Sequence, residues 1–502
     1  MSVQQIPMRL FFCAFVCSIL FSAAASFSGC ASGEHQDRVV IPSATINGQP
    51  AHFVLDSGSS VTLIEKSVAN RLKIKSVPSS PHLDFSWFDA TLGLTMSEPV
   101  QLAHGNDTLT SSLPVSKFPW ADFDVLVGWP DVRDNILFFD SASHTVRRVE
   151  TLPPETAQWT KLKIHPADTL SMEVPLPDHR TGVLEVDTGN PTGVVLPPAD
   201  FQKWKDAHPN NPGYEHTYHL LLLSVTFFKT IQADEFEVGP LKLNNVTLNK
   251  ADWKNMADNY IGTLGLDTFE RLDMVVDCKN GWAYLHPKPL TSEPVHPQDW
   301  TLDANVHISA NHMLAFAAAS RALLKEDQDD PTGAIEEYST AIKLSPTSMD
   351  FYYARAQDQL GLGNFAEARA DFDQFIQMHP QDAEYPRLFA HLLRLRLGLP
   401  PSDLDQNIAE WKDSWVKTVA QFLLGQKDEP TLLAAAEKAD KEPVNGQRCE
   451  AYFYIGEIRL LHNDPTSARE FFKKSVATDQ KDYVEYSFAK AELKRLDKNT
   501  AK

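Results

Sequence analysis

Two short segments of one kind constrain this chain more than anything else in it. Phe53-Val54-Leu55-Asp56-Ser57-Gly58-Ser59-Ser60 and Val183-Leu184-Glu185-Val186-Asp187-Thr188-Gly189-Asn190 each run as an apolar strand into an Asp-Ser/Thr-Gly turn. Each is followed at a similar distance by an apolar stretch stopped by glycine, Leu126-Val127-Gly128 and Thr263-Leu264-Gly265. The separations are 72 residues from Asp56 to Gly128 and 78 from Asp187 to Gly265. A lone Asp-Ser-Gly is usually a turn or a helix cap. Matching order and spacing signal an internal duplication, with two half-sites that face each other.

The flanking segments repeat in the same order. In the first copy, residues 38–150, Asn47-Gly48 marks a hairpin turn before the strand that ends at Asp56. A short helix over Glu65–Leu72 and the closing hairpin Asn135–Val149 follow. In the second copy, residues 158–287, the strand into Asp187 is followed by a short helix near Phe201–Trp204. Strands follow over Leu220–Thr230, Glu235–Val238 and Val246–Leu248. The closing hairpin turns at Asn280-Gly281.

The duplicated region, about residues 38–287, resembles the retropepsin/pepsin class of aspartic proteases. Asp56-Ser57-Gly58 and Asp187-Thr188-Gly189 match that family's Asp-Thr/Ser-Gly motif. Leu126-Val127-Gly128 and Thr263-Leu264-Gly265 match its apolar-apolar-Gly ψ-loop. The resemblance implies an all-β, bilobal, acid-protease-like barrel domain with both half-sites in one chain. It implies Asp56 and Asp187 as the catalytic pair. Two carboxylates about 3 Å apart cannot both ionise and therefore share a proton. One acts as base on a water while the other polarises the scissile carbonyl. By the same resemblance, Ser57 and Thr188 brace the two loops, Gly58 and Gly189 allow close backbone approach, and Leu126, Val127, Gly128, Leu264 and Gly265 pack beneath. Ser59 suits the position after the motif, whereas Asn190 departs from the family's Ser or Thr. Glu185 is an unusual charge in such a strand, on the same face as Asp187. It either meets solvent or perturbs the pair. The hairpin that would cover substrate is placed at Asp84–Phe88, with Trp87 or Phe88 touching substrate or else serving as core.

The N-terminus reads as an export signal. Arg9 precedes an apolar run from Leu10 to Phe27, too short for a comfortable membrane span. Phe27-Ser28-Gly29-Cys30 resembles a bacterial lipobox closing a signal segment of residues 1–30, with cleavage before Cys30 leaving it as the lipidated N-terminal residue. The resemblance implies a lipid-anchored protein of the periplasm or outer membrane. Cleavage after Ala23-Ala24-Ala25, giving a secreted protein, and an uncleaved anchor are the alternatives. Of five cysteines only Cys278 and Cys449 lie outside the leader and lipobox, so no disulfide framework is expected. A net charge of −20 excludes a basic nucleic-acid face. His216 and His219 form a pair without a third ligand, so no metal is expected. No phosphate loop or nucleophile elbow occurs, and no cofactor is expected.

Residues 288–304 carry Pro287, Pro289, Pro294 and Pro297 in or beside them and read as a stiff linker. From 305 to 500 the composition shifts to helix formers. Ala334, Tyr338, Ala341 and Pro346 recur 34 residues later as Ala368, Phe372, Phe375 and Pro380. Tyr452, Gly456, Ala468, Phe472 and Ser475 repeat the pattern of Tyr352, Ala356, Ala368, Phe372 and Phe375. The pattern resembles the tetratricopeptide repeat (TPR), which implies an all-α array that binds a protein or peptide partner on its concave face. Further helices are expected over 385–397, 405–424 and 429–439. Two functions follow. One is an aspartic endopeptidase of the cell envelope that cuts polypeptide substrates recruited by the repeats. The other is an inactive protease fold that binds peptides together with the repeats.

Overall fold

The computed structural model describes residues 38–500, except 88–89, 118–122, 177–179, 191, 212, 221–223, 251–258, 290–298, 379, 381–382, 401–403, 410, 412, 438–443 and 482. Cys30 and the export signal, and Phe88, lie outside the described residues. The chain forms a strand-rich unit up to Ser320 and a helical unit from Arg321 onward.

Six strands frame the first lobe: β1 (Val39–Ile41), β2 (Phe53–Asp56), β3 (Leu63–Glu65), β4 (Val125–Gly128), β5 (Ile136–Asp140) and β6 (Thr145–Val149). The second lobe has β7 (Thr160–Ile164), β8 (Ser171–Pro175), β9 (Thr181–Asp187), β10 (Val194–Leu196), β11 (Tyr260–Gly265), β12 (Leu272–Asp277) and β13 (Trp282–Pro287). These are runs of β-branched and aromatic residues, which suit a pleated buried surface. The hairpin before β2 turns on Asn47 and Gly48, both at positive φ (51° and 75°), as a type I′ connection demands.

Equivalent pairings build both lobes. β2 lies antiparallel to β1 and parallel to β4, in a register that sets Gly128 beside Asp56. β9 lies antiparallel to β8 and parallel to β11, with Gly265 beside Asp187. β3 and β10 run antiparallel to β4 and β11. Antiparallel pairing of β5 with β12 joins the lobes, and β6 and β13 flank that pair. The inward faces, among them Leu55, Val127, Val186 and Leu264, are fully buried.

The Pro-rich stretch after the second lobe is not linker throughout. Trp300–Leu302 forms a strand, β14, lying parallel to both β1 and β6. In the second lobe the corresponding place is filled by β7, which is antiparallel to β8 and β13. Trp300 is fully buried, packs edge-on to Phe269 at 6.0 Å and donates from Nε1 to Glu270 at 3.2 Å. A strand of three residues carries little pattern, so the prolines dominated the sequence reading.

The second lobe also holds a long hairpin, Gly213–Leu220 with Ser224–Val238, paired from Gly213↔Ile231 to Leu220↔Ser224. The sequence reading placed one strand over Leu220–Thr230. Consecutive leucines at 220–223 supply no Gly, Asn or Pro to mark a reversal. His216 and His219 lie on the outgoing strand of this hairpin.

In the helical unit, Pro331–Leu344, Met349–Leu362, Phe365–Met378 and Glu384–Arg396 follow one another, and Val444–Leu461, Pro465–Ala477 and Val484–Thr500 close the chain. The repeated positions Ala334, Tyr338, Ala341, Ala368, Phe372, Phe375, Ala468, Phe472 and Ser475 are all buried. Asp330 and Asp464 cap helices by accepting from Gly333 and Ser467 amides at 3.0 Å. A Cβ on Gly456 would lie 2.6 Å from the Phe472 ring, so only glycine allows these helices to approach as they do. The expected helix over 405–424 is broken into Leu404–Asn407 and Trp415–Leu423. Ser414 begins the second piece, adopting extended φ/ψ and capping the Lys417 amide.

Trp300→Ala should destabilise the strand-rich unit by about 3–5 kcal/mol, the usual cost of emptying a buried aromatic site. Chemical denaturation of the purified protein, followed by Trp fluorescence and circular dichroism, measures it; a loss under about 1 kcal/mol would mean that β14 is peripheral.

Candidate active site

Each strand that ends in an aspartate is held by its neighbour so that the carboxyl emerges at a fixed point. Asp56 ends β2 beside Gly128, and Asp187 ends β9 beside Gly265. Both glycines are required by close packing. A Cβ on Gly128 would stand 2.7 Å from the Val61 backbone, and one on Gly265 would stand 2.2 Å from the Thr192 carbonyl oxygen. The turns after the aspartates then repeat bond for bond. The Ser59 amide donates to the Asp56 carbonyl and the Asn190 amide to the Asp187 carbonyl, each at 3.2 Å. The Trp129 amide reaches the Ser59 carbonyl at 2.9 Å and the Leu266 amide the Asn190 carbonyl at 2.6 Å.

The two turns lock into each other. The Ser57 amide donates to Thr188 Oγ1 at 3.0 Å, and the Thr188 amide donates to Ser57 Oγ at 3.0 Å. Each hydroxyl then donates onward to the opposite strand: Ser57 to the Val186 carbonyl at 2.8 Å, Thr188 to the Leu55 carbonyl at 3.0 Å. All four bonds are buried and cross the duplication. Gly189 touches the other half directly, since a Cβ there would lie 2.5 Å from the Asp56 carboxyl carbon.

This brace brings Asp56 and Asp187 within hydrogen-bonding reach of each other. Each uses Oδ1 to accept an amide, from Gly58 at 2.8 Å and from Gly189 at 3.0 Å. Oδ2 of each is buried and receives no donor among the described residues. One proton between the carboxyls satisfies both atoms. Burial is the main force on the pair and raises Asp56 to about 7, against smaller lowering effects from Asp187, the Gly58 amide and Arg38. Asp187 is also raised well above the usual carboxylate range, by burial first, then by the charges of Asp56 and Glu185. The two titrate as one unit.

Asn190 occupies the place that Ser59 has in the first lobe, and it does similar work. Ser59 Oγ donates to the Val61 carbonyl at 2.9 Å. Asn190 Oδ1 accepts from the Thr192 amide and hydroxyl at 2.9 and 2.8 Å. Each side chain closes its own turn. In the hairpin expected to cover substrate, Asp84–Trp87 pairs with Ala90–Gly93 and Trp87 pairs with Ala90; Phe88 is outside the described residues.

One residue escaped the sequence reading. Asp131 is completely buried, accepts from the Thr62 hydroxyl, and is raised to about 7, chiefly by burial. Thr62 Oγ1 in turn accepts from the Gly128 amide at 2.9 Å. Asp131 thus supports the strand end beside Asp56. Its position three residues after Gly128 was the available signal.

With this geometry in view, the comparisons with known proteins can be placed. Residues 42–106 match the aspartyl protease family model, and residues 319–383 match a tetratricopeptide repeat model. The chain joins an aspartyl-protease-like domain to tetratricopeptide repeats. It is 28% identical over 192 residues to a protein described as lipoprotein NlpI homolog, from Haemophilus influenzae. That match takes in 35% of this chain and 56% of the relative's length. A crystal structure of a tetratricopeptide repeat protein from Parabacteroides merdae is similar at 20% identity and a TM-score of 0.23, over 36% of this chain and 71% of that one. It is a distant likeness only.

The raised carboxyls make a stability prediction with a definite sign. Between the ordinary carboxylate value of about 4 and about 7, the folded pair holds more protons than the unfolded chain. Stability must therefore fall as pH rises through that window. Replacing both residues, Asp56→Asn with Asp187→Asn, removes this contribution. Thermal melts from pH 4 to 7 should show a smaller decline for the double variant than for the wild type; parallel curves would contradict the assignment.

Proposed function

We propose that the strand-rich unit is an aspartic endopeptidase. The observation that supports this best is the pair of buried, neighbouring carboxyls at the centre of a braced, duplicated site. Asp56 is the base. It takes a proton from a water as the oxygen attacks the scissile carbonyl carbon. Asp187 gives its proton to the carbonyl oxygen as the tetrahedral intermediate forms. Return of a proton to the amide nitrogen lets the C–N bond break. Gly58 and Gly189 amides hold the Oδ1 atoms, so the pair needs little reorganisation on the way. The dyad-supporting roles of Ser57, Ser59, Thr188 and Asn190, and substrate contact by Trp87 and Phe88, belong to this proposal. Leu126, Val127, Gly128, Leu264 and Gly265 are the packing under it.

The repeats bind the polypeptide substrate or a protein partner, consistent with the tetratricopeptide match over 319–383. Lipidation at Cys30 tethers the protein in the bacterial cell envelope; similarity to a relative described as a lipoprotein supports this. In this reading residues 1–30 are removed or lipidated, 38–150 and 158–287 are the lobes, and 305–500 is the repeat array.

Asp56→Asn and Asp187→Asn should each reduce cleavage of a denatured protein by about 10²–10⁴-fold, the usual share of a general acid or base. With Asp56 raised to about 7, wild-type cleavage should decline as pH falls below neutral. Assays from pH 3 to 9, with and without a pepstatin-like inhibitor, test both. Cleavage that survives both substitutions would overturn the pair. A folded wild type that binds peptide at the site and never cuts would favour the scaffold reading.

A further inference from the structure

The two halves of the site differ at one layer, and the difference is chemical. Two residues before Asp56 stands Val54, flanked in the sheet by Val40 on β1 and Leu126 on β4. Two residues before Asp187 stands Glu185, flanked by Ser171 on β8 and Thr263 on β11. The same three sheet positions are apolar in one lobe and polar in the other. Burial does not explain the change. Val54 and Leu126 are 2% and 1% exposed; Glu185, Ser171 and Thr263 are 2%, 5% and 0% exposed. A buried carboxylate is costly to keep, and the first lobe demonstrates that this fold accepts valine in the same place.

Glu185 is held as an acceptor. The Thr263 hydroxyl donates to its Oε2 at 3.0 Å. Having given its proton there, Thr263 Oγ1 accepts from the Tyr260 hydroxyl at 2.5 Å. The Thr263 and Tyr260 hydroxyls thus stand in series behind Glu185 Oε2. Residues i and i+2 of a strand project from one face, so the carboxylate stands behind Asp187 on the same side of β9. Its sheet neighbours are Ser171 on β8 and Thr263 on β11, with Tyr260 behind Thr263. Arg38, the charge that acts on Asp56, enters from the start of β1.

We propose that Glu185 is a positioning residue of the acid pair, an ionised carboxylate whose field keeps the shared proton on Asp187 and so reserves Asp56 as the base. Without it the asymmetry of the pair would be left to Arg38, which acts on Asp56. With it the pair is polarised before substrate arrives. The negative charge also resists loss of the last proton, which extends the singly protonated state toward higher pH. The inference rests on Asp56 and Asp187 being the working pair.

Glu185→Gln keeps the volume and the acceptor for Thr263 and removes the charge. Glu185→Val copies the first lobe. Carboxyl ¹³C titrations of the full-length protein, labelled at Asp and assigned with Asp187→Asn, should show the Asp187 midpoint falling by about one pH unit or more in either variant. The alkaline limb of cleavage should move to lower pH with it. An unchanged midpoint in a folded variant overturns the proposal, leaving Glu185 a structural group. Should neither variant fold, the wild type labelled at Glu as well decides. An Asp187 curve with an inflection at the Glu185 midpoint supports the coupling, and one without it refutes it. Because these titrations need no turnover, a midpoint shift without any cleavage would sink the endopeptidase reading, and with it the base role of Asp56, and leave the effect of Glu185 on Asp187 standing.

Discussion

Four buried hydrogen bonds between Ser57 and Thr188 and their opposite strands set the terms for the strand-rich unit. Two carboxyls cannot be buried side by side unless something holds them there, because each would gain by moving away from the other or toward water. The brace removes that freedom. It acts through backbone amides and carbonyls, so it fixes the turns themselves and not merely two side chains. The close approaches at Gly128, Gly189 and Gly265 are its steric counterpart. The high proton affinity of the pair is then a result of the architecture, and the chemistry proposed for it follows from that affinity.

Around this centre the duplication is nearly complete in backbone and incomplete in side chains. Registers, turns and strand directions repeat from one lobe to the other. Val54 against Glu185 and Ser59 against Asn190 do not. The sequence departure at Asn190 turns out to preserve a turn-closing hydrogen bond by other means. The departure at Glu185 introduces charge where the sister lobe has none. A symmetric scaffold with an asymmetric charge can give two like groups unlike duties.

How much of this could be read from residues alone depended on the range of the forces involved. The Asp-Ser/Thr-Gly turns, the Asn47-Gly48 hairpin and the 34-residue helical repeat are local signals, each carried by residues in direct succession. Burial of the repeat positions from Ala334 to Ser475 follows from the same periodicity. What escaped depends on distant partners or absent markers. The long hairpin over 213–238 reverses without a turn signature. Asp131 matters because it meets Thr62, 69 residues away. Ser414 starts a new helix after a break, a cap whose effect a helical periodicity alone does not reveal. β14 is a strand only because β1 and β6 leave a place between them.

That last strand has a consequence for how the molecule comes into being. The chain must deliver Trp300 before the first lobe can close its sheet, although every other strand of that lobe is finished by Val149. A polypeptide leaving a ribosome or a translocation pore presents its first half-site early but cannot complete the surrounding barrel until the second half-site has also emerged. Maturation is therefore timed by the chain itself. The first lobe is finished only after the whole bilobal region has been made, so its sheet closes last in the order in which the chain appears.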